Sequence, residues 1–578
     1  MAGDGTFTTA AAARRLDEEH SVATTPPAAL AAYTPDVAAV GDSLTTTALL
    51  GLIPLAAFFL LLMAAKRSAL HSALGALLTA LLVAVLGYGM PLRLGALSAA
   101  QGLAFGLFPV MLIVVSAIWF YELTVVSNRF DDLRRCFNSV GRGDLRIQAM
   151  LIAFCFGGLL EALAGFGAPV AITAAMLMAL GLPRLTSAVT VLVANTAPVA
   201  FGAMAIPITT AANLTGIPAE SLAAVIGRQS PLLALFVPQL LLFIVDGWRG
   251  LRQLWPIALA TGAVFALAQF WCSAHFAYEL TDVVAALAGF GAAVVMLRFW
   301  SPTTPDDQRS QVGAEPLTRR RTVLAVLPYL LVIAVFALAK LDLGGLDMPA
   351  LLGSLTLQID WPGLYGSLLA PDGSPAGSAV YKLEVLGNPG TLLILSGLLV
   401  MLVYSRAKDA DRFPMTAPMG LTCAGRTVKN MRTAIATVAT VMALSYVMNQ
   451  SGQTLAIGTW LAAAGGLFAL LSPVLGWLGT AVTGSDTSSN ALFATLQQTA
   501  GKTAGLDPTL LVAANTTGGV VGKLISPQNL TIAATAVERP GTERILLRKV
   551  AGYSVAMLAV LCVLVFLQSL PVLSWMLP

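Results

Sequence analysis

Long apolar runs separated by short polar stretches fill most of the chain. A spanning helix needs about 20 apolar residues, because the hydrocarbon core is about 30 Å thick and a helix rises 1.5 Å per residue. Runs of that kind fall near 44–65, 68–89, 97–121, 185–213, 229–245, 254–272 and 281–298. Others fall near 323–340, 389–405, 432–448, 454–475, 508–530 and 550–570. The pattern predicts an all-α polytopic integral membrane protein with about 12–14 transmembrane helices. A transmembrane domain is expected over 44–570, between a disordered polar tail at 1–43 and a short end at 571–578. Arg14 and Arg15 in the tail are not followed by an apolar stretch, so the tail does not read as a cleaved signal peptide or a twin-arginine signal.

Two segments break the pattern. Segment 148–182 is too long for one span and is interrupted by Glu161, Gly165, Gly167 and Pro169. Segment 476–500 is cut by Gly484-Ser485-Asp486-Thr487-Ser488-Ser489-Asn490. Irregular backbone and carboxylates at membrane depth are tolerated only where protein or a water-filled cavity covers them. Both segments are therefore expected to be re-entrant hairpins. Each is followed by a span with a matching interruption: Ala194-Asn195-Thr196 with Gly202 and Ile206-Pro207, then Ala514-Asn515-Thr516 with Gly522 and Ser526-Pro527. In both, the asparagine precedes its proline by 12 residues. A polar hairpin followed by a broken helix, present twice, predicts a transporter built from internal repeats, with cores near 148–213 and 476–530. Its substrate would sit between the repeats near the midplane.

Composition narrows the class. Lys+Arg number 33 and Asp+Glu 29 in 578 residues, so 11% are charged, where soluble domains carry about 25%. Mean hydropathy is +0.81. These values exclude a soluble enzyme and a disordered chain, and they leave no basic face for nucleic acid. Cys136, Cys155, Cys272, Cys423 and Cys562 show no C-x-x-C spacing, and His20, His71 and His275 are far apart. No disulfide framework, metal site or cofactor is expected. Positive charge in short loops marks the cytoplasmic side. Placing the clusters at 66–67, 129–146, 298–321 and 406–432 inside puts the tail and the acidic loop 341–388 outside. The cluster at 539–549 fits this scheme less easily, which leaves the final crossings open. A homo-oligomer is compatible with the sequence.

Broken helices expose free N–H groups at a half-helix N-terminus, where the macrodipole favours an anion. The candidate substrate-binding set is Asn195, Thr196, Ser485, Thr487, Ser488, Ser489, Asn490, Asn515, Thr516 and Lys523. Lys523 has Ala203 as its repeat counterpart, and it could face a substrate carboxylate or Asp486, or form a static ion pair. Glu161 and Asp486 are the acids set in the breaks. Desolvation disfavours the charged form of a buried carboxylate, the property a proton carrier needs; the bland reading is that each acid only holds its hairpin together. Gly165, Gly167 and Gly484 are the expected hairpin breaks. Gly465-Gly466 and Gly518-Gly519 permit close helix packing or local unwinding. His275 and Glu279, four apart on a possible helix end, read as a solvated loop face, with a proton relay as the alternative, and Asp246-Gly247-Trp248-Arg249 as an interfacial anchor. A Ser526–Lys523 hydrolytic dyad lacks a further convergent group and carries little weight.

Several of these stretches resemble the bacterial lactate permeases, a family that includes glycolate permeases. They are EALAGFGAPVAITAA (161–175), ANTAPVAFGAMAIPI (194–208), GRQSP (227–231), DGWRG (246–250) and NPGT (388–391). LSPVLGWLGTAVTGSDTSSNALF (471–493) and AANTTGGVVGKLISPQ (513–528) are the longest and most specific. The likeness runs from about 44 to 570. It implies a multi-pass inner-membrane secondary transporter importing lactate, and often glycolate, with protons. Its motif positions here are Glu161, Gly165, Gly167, Asn195, Thr196, Asp486, Asn490, Asn515, Thr516 and Lys523. The long tail is a departure from the family pattern. The alternative is a sodium-coupled carrier of another small organic anion.

Overall fold

Helices account for nearly all regular structure in the computed structural model, which describes residues 32–141, 143–165, 167–309, 317–343, 346–370, 373–408 and 412–577. Among these residues 11 helices are long and apolar enough to cross a membrane, or up to 12 if a pair bent by 63° counts as one span. The protein is thus an all-α polytopic membrane protein. One of the 11, Ala219–His275, has 57 residues. At 1.5 Å per residue it would run roughly 85 Å, far beyond one bilayer. It is divided at Asp246 and Gly247, where Gly247 takes φ 59°. The DGWRG stretch is therefore a turn between two helical arms. Arg146, fully buried, clamps it by bonding Asp144 at 2.8 Å and Asp246 at 2.9 Å, while Arg249 joins Asp246 to Asp307.

The expected interruptions form two helical hairpins. In the first, Leu145–Leu163 and Ala168–Ala179 fold back on each other across Gly165 and Gly167, so that Gly157 faces the Thr173 methyl. Gly167 sits at φ 88°, a conformation that favours glycine. In the second, Phe468–Thr483 returns as Asp486–Ala504: Ser489 Oγ donates to Gly476 O, and Ser472 Oγ to Gln497 Oε1. This polar run is less irregular than the sequence suggests. Gly484 takes φ 75°, and Ser485 caps the returning helix by accepting from Ser488 N, so Asp486 to Asn490 are already helical. A serine cap followed by an acid in the first turn is a strong helix start.

The two following helices differ more than their matched spacing implies. The first, Arg184–Ala194, stops at Asn195 and resumes as Gly202–Thr215 at 63°. Pro198 explains the stop: it lacks an N–H and its ring clashes with the carbonyl four residues back. The second has no proline in the corresponding turn, so Pro508–Gly522 runs through Asn515 and Thr516 without a break. Its interruption comes later, at 523–526, where Ser526 caps Pro527–Ala536.

The first hairpin's long arm is the centre of the molecule, with 94% of its apolar window buried against 33–61% for the other candidate spans. Elsewhere small residues let backbones touch. A β-carbon on Gly518 or Gly522 would overlap the backbone of Pro473 or Trp477, and one on Gly476 the carbonyl of Asn515. Gly518-Gly519 is thus a close-packing face, whereas Gly465 takes φ 56° at a local unwinding. Gly518→Leu should prevent assembly of the second hairpin on its helix, read as loss of monodisperse protein after detergent extraction; a well-behaved variant would contradict this packing. Before the first span, Tyr33 is buried and donates from its hydroxyl to Ser451 O at 2.8 Å. The part of the expected tail from Tyr33 to Ser43 is therefore docked rather than disordered, while residues 1–31 lie outside the described residues.

Candidate functional site

Both hairpin tips converge on the second broken helix. A β-carbon on Gly167 would meet Ile532, and one on Gly484 would meet Gln528. Between the tips lies a cavity of about 40 Å³, walled by Glu161, Gly165, Gly202, Pro207, Gly484 to Thr487 and Lys523, among others. That space admits a few waters; pockets that enclose a ligand measure about 300–1,000 Å³. The conformation described is therefore contracted.

Lys523 is carried by the turn that ends Pro508–Gly522. The break frees its carbonyl, which accepts from Ser526 Oγ and Asn529 Nδ2 at 3.0 Å each. Its ammonium reaches Glu161 Oε1 at 2.5 Å, with both side chains under 10% exposed. The second Glu161 oxygen accepts from Asn195 Nδ2 at 2.9 Å. Gly202 makes room for this carboxylate, since a β-carbon there would press on Glu161 Oε1 at 3.1 Å. The next three residues, Ala203 to Ala205, take φ between 46° and 59°. A left-handed turn of non-glycine residues costs about 1–2 kcal/mol per residue, so the backbone is strained where the first break meets Glu161.

Asp486 occupies the first turn of its helix and lines the same cavity. Its Oδ1 accepts weakly from Thr480 Oγ1 at 3.4 Å, and its Oδ2 has no partner among the described residues. A β-carbon on Gly519 would collide with this carboxylate. The cavity thus presents one ammonium, two carboxylates and a helix N-terminus.

Other expected site residues are engaged elsewhere. Asn490 Nδ2 bonds Pro207 O at 3.0 Å and Thr516 Oγ1 at 2.9 Å, and its Oδ1 accepts from Asn515 at 2.8 Å. This lattice ties the second hairpin to both broken helices, and none of its three side chains lines the cavity. Ser489 closes its hairpin, and Ser488 gives its N–H to the cap. Thr196 Oγ1 bonds its own helix at Val193 O. Asn195 contributes through Glu161, and Ser485 and Thr487 remain at the cavity wall. Lys523 pairs directly with Glu161 and acts on Asp486 only through space, across the same cavity. Glu279 is buried, unlike the solvated loop face expected, whereas His275 is exposed. Sequence reasoning passed over Asp282, a fully buried acid at the start of Thr281–Phe299. An acid beside the start of an apolar run looks interfacial until its neighbours are known.

The L-lactate permease family model matches residues 47–572. The chain is 39% identical to the L-lactate permease of Bacillus subtilis, over 95% of this chain and 99% of that protein. It is 36% identical to the L-lactate permease of Escherichia coli K12, over 92% and 97% respectively. It is also 34% identical to the glycolate permease GlcA of the same strain, over 90% and 96%.

Proposed function

The chain belongs to the L-lactate permease family, and from that membership and the charges at the cavity we propose that it imports lactate and glycolate by proton symport across the plasma membrane. Proton coupling rests above all on the buried Lys523–Glu161 pair beside Asp486. Without substrate, Lys523 and Glu161 neutralise each other. A substrate carboxylate, attracted by the N-terminus of Asp486–Ala504, takes over the ammonium. Glu161 then loses its counter-charge in a buried site, where an unpaired carboxylate costs several kcal/mol. A proton on Glu161 removes that cost, so anion and proton bind together and neither is favoured alone. The free Oδ2 of Asp486 accepts the 2-hydroxyl, which separates hydroxy acids from plain carboxylic acids. In this reading both hairpins are re-entrant, the loop 341–388 and the segment before the first span face outward, and hairpin movement opens the contracted cavity to either side.

Uptake of labelled L-lactate into proteoliposomes under an imposed pH gradient, without sodium, tests the coupling. Accumulation that a protonophore abolishes and glycolate competes is the expected result. Uptake that requires sodium and ignores the pH gradient would replace the proton with sodium. For the second acid, Asp486→Asn is expected to narrow the preference for lactate over propionate by about tenfold, the loss of one good hydrogen bond to substrate. Competition assays with both acids measure this, and an unchanged preference would remove Asp486 from hydroxyl recognition.

A further inference from the structure

Two buried acids lie between Glu161 and a second, larger cavity. Asp282 is fully buried in the first turn of Thr281–Phe299. Its Oδ1 accepts from Gln269 Nε2 at 3.1 Å, and the same amide donates to Ala197 O at 3.2 Å, inside the first helix break. Its Oδ2 has no partner among the described residues, and no ion pair reaches it there. The ionisable groups that face it are Glu161 from the first hairpin and the thiol of Cys272. The helices that carry the two acids pack closely: a β-carbon on Gly158 would touch Ala286, one turn beyond Asp282, at 3.8 Å.

Three residues before Asp282, Glu279 lines a cavity of about 730 Å³ beneath the loop 341–388. Glu279 is buried, faces Lys340 Nζ at 3.7 Å, and its Oε2 has no partner among the described residues. Lys340 also meets Glu220 at 3.5 Å and lies over the Tyr278 ring, and Glu384 stands on the same wall. Thr209 and Thr495 line this cavity from the two helices whose other ends, at Gly202 and Asp486, wall the cavity between the hairpin tips. One buried acid therefore opens on the vestibule, the next stands without a counter-charge, and the third holds Lys523.

We infer that Asp282 is a second protonation site of the carrier, supplied from the vestibule through Glu279 and exchanging its proton with Glu161. In each step an O–H bond breaks on one carboxylic acid and forms on the next carboxylate, directly or through water, leaving the donor ionised. The ionised form of Asp282 is costly because nothing cationic faces it among the described residues, so the residue holds its proton until Glu161 calls for one. Glu279, paired only in part with Lys340, is the acid that meets bulk protons. This inference rests on the proton-coupled reading above.

The test compares two assays on the same proteoliposomes: lactate–lactate exchange, which needs no net proton movement, and accumulation driven by a pH gradient. Asp282→Asn is expected to lower accumulation by roughly tenfold or more while exchange continues, a loss within what a positioned proton donor contributes. Asp282→Glu, which keeps an acid, should retain both. Glu279→Gln should slow gradient-driven uptake only when the acidic side is the vestibule side. Wild-type accumulation in Asp282→Asn would overturn the inference. Loss of exchange together with accumulation in both Asp282 variants would make the residue structural and overturn it too. Failure of the coupled reading itself would appear in the wild type, as uptake indifferent to the gradient and to a protonophore.

Discussion

Lys523→Ala is expected to abolish lactate binding and to destabilise the protein together. The ammonium lies 2.5 Å from Glu161, with both groups nearly inaccessible to solvent. Removing one partner of a buried pair leaves the other charge uncompensated, at a cost of about 3–5 kcal/mol. Here the loss has a second consequence, because in the proposed mechanism Lys523, which lines the cavity, is the cation that takes the substrate carboxylate. A drop of at least about 100-fold in affinity follows from losing a charge-assisted contact of that kind. The two effects can be separated. In Glu161→Gln/Lys523→Ala the Glu161 charge is no longer stranded, so thermal stability should recover toward wild type in part, with Asp486 still lacking the through-space cation, while lactate binding stays lost. Calorimetric binding and thermal unfolding of purified protein check both. Wild-type affinity in Lys523→Ala would reduce the residue to a structural ion pair, and a double variant as unstable as the single one would show that the pair's charge is not what matters.

Glu161→Gln should separate transport from the proton. Glutamine keeps the shape and still meets Asn195, yet it cannot take up and release a proton in the working range. Lys523 is then free for substrate at every pH. In the wild type, where one proton binds with one anion, apparent lactate affinity should weaken by about tenfold per pH unit on the alkaline side. The sign follows from linkage: substrate favours the protonated carrier, so removing protons opposes binding. In Glu161→Gln the profile should be flat, exchange should persist, and a pH gradient should no longer drive accumulation. Proton dependence unchanged from the wild type would pass the coupling role to another acid, with Asp486 and Asp282 the candidates already in place.

The two predictions depend on a contact that no local reading of the chain supplies. Glu161 and Lys523 are 362 residues apart, and the repeat spacing that marked both segments said nothing of their facing each other. Asn195 and Asn515 looked equivalent because each stands 12 residues before a proline. The structure separates them: Pro198 breaks the first helix at once and turns Asn195 to Glu161, while the second stays helical and spends Asn515 on Asn490. Likewise the seven small polar residues at 484–490 read as an irregular tip, though all but Gly484 and Ser485 form a capped helix that hides most of its side chains.

By itself the sequence determined the membrane class, the two hairpins, the presence of broken helices and the acids and lysine set into them. Those features are local: an apolar run of a given length must span, and glycine, proline or a carboxylate inside it must be covered by something polar. The tertiary structure decided which of these groups meet. It paired Lys523 with Glu161, left Asp486 and Asp282 each with an oxygen that has no hydrogen-bond partner among the described residues, and turned Asn490, Asn515 and Thr516 inward as braces. The physical reason is that a charge buried in a low-dielectric interior takes its meaning from neighbours a few ångströms away, and those neighbours come from segments distant in sequence, as Glu161 and Lys523 do at a separation of 362 residues.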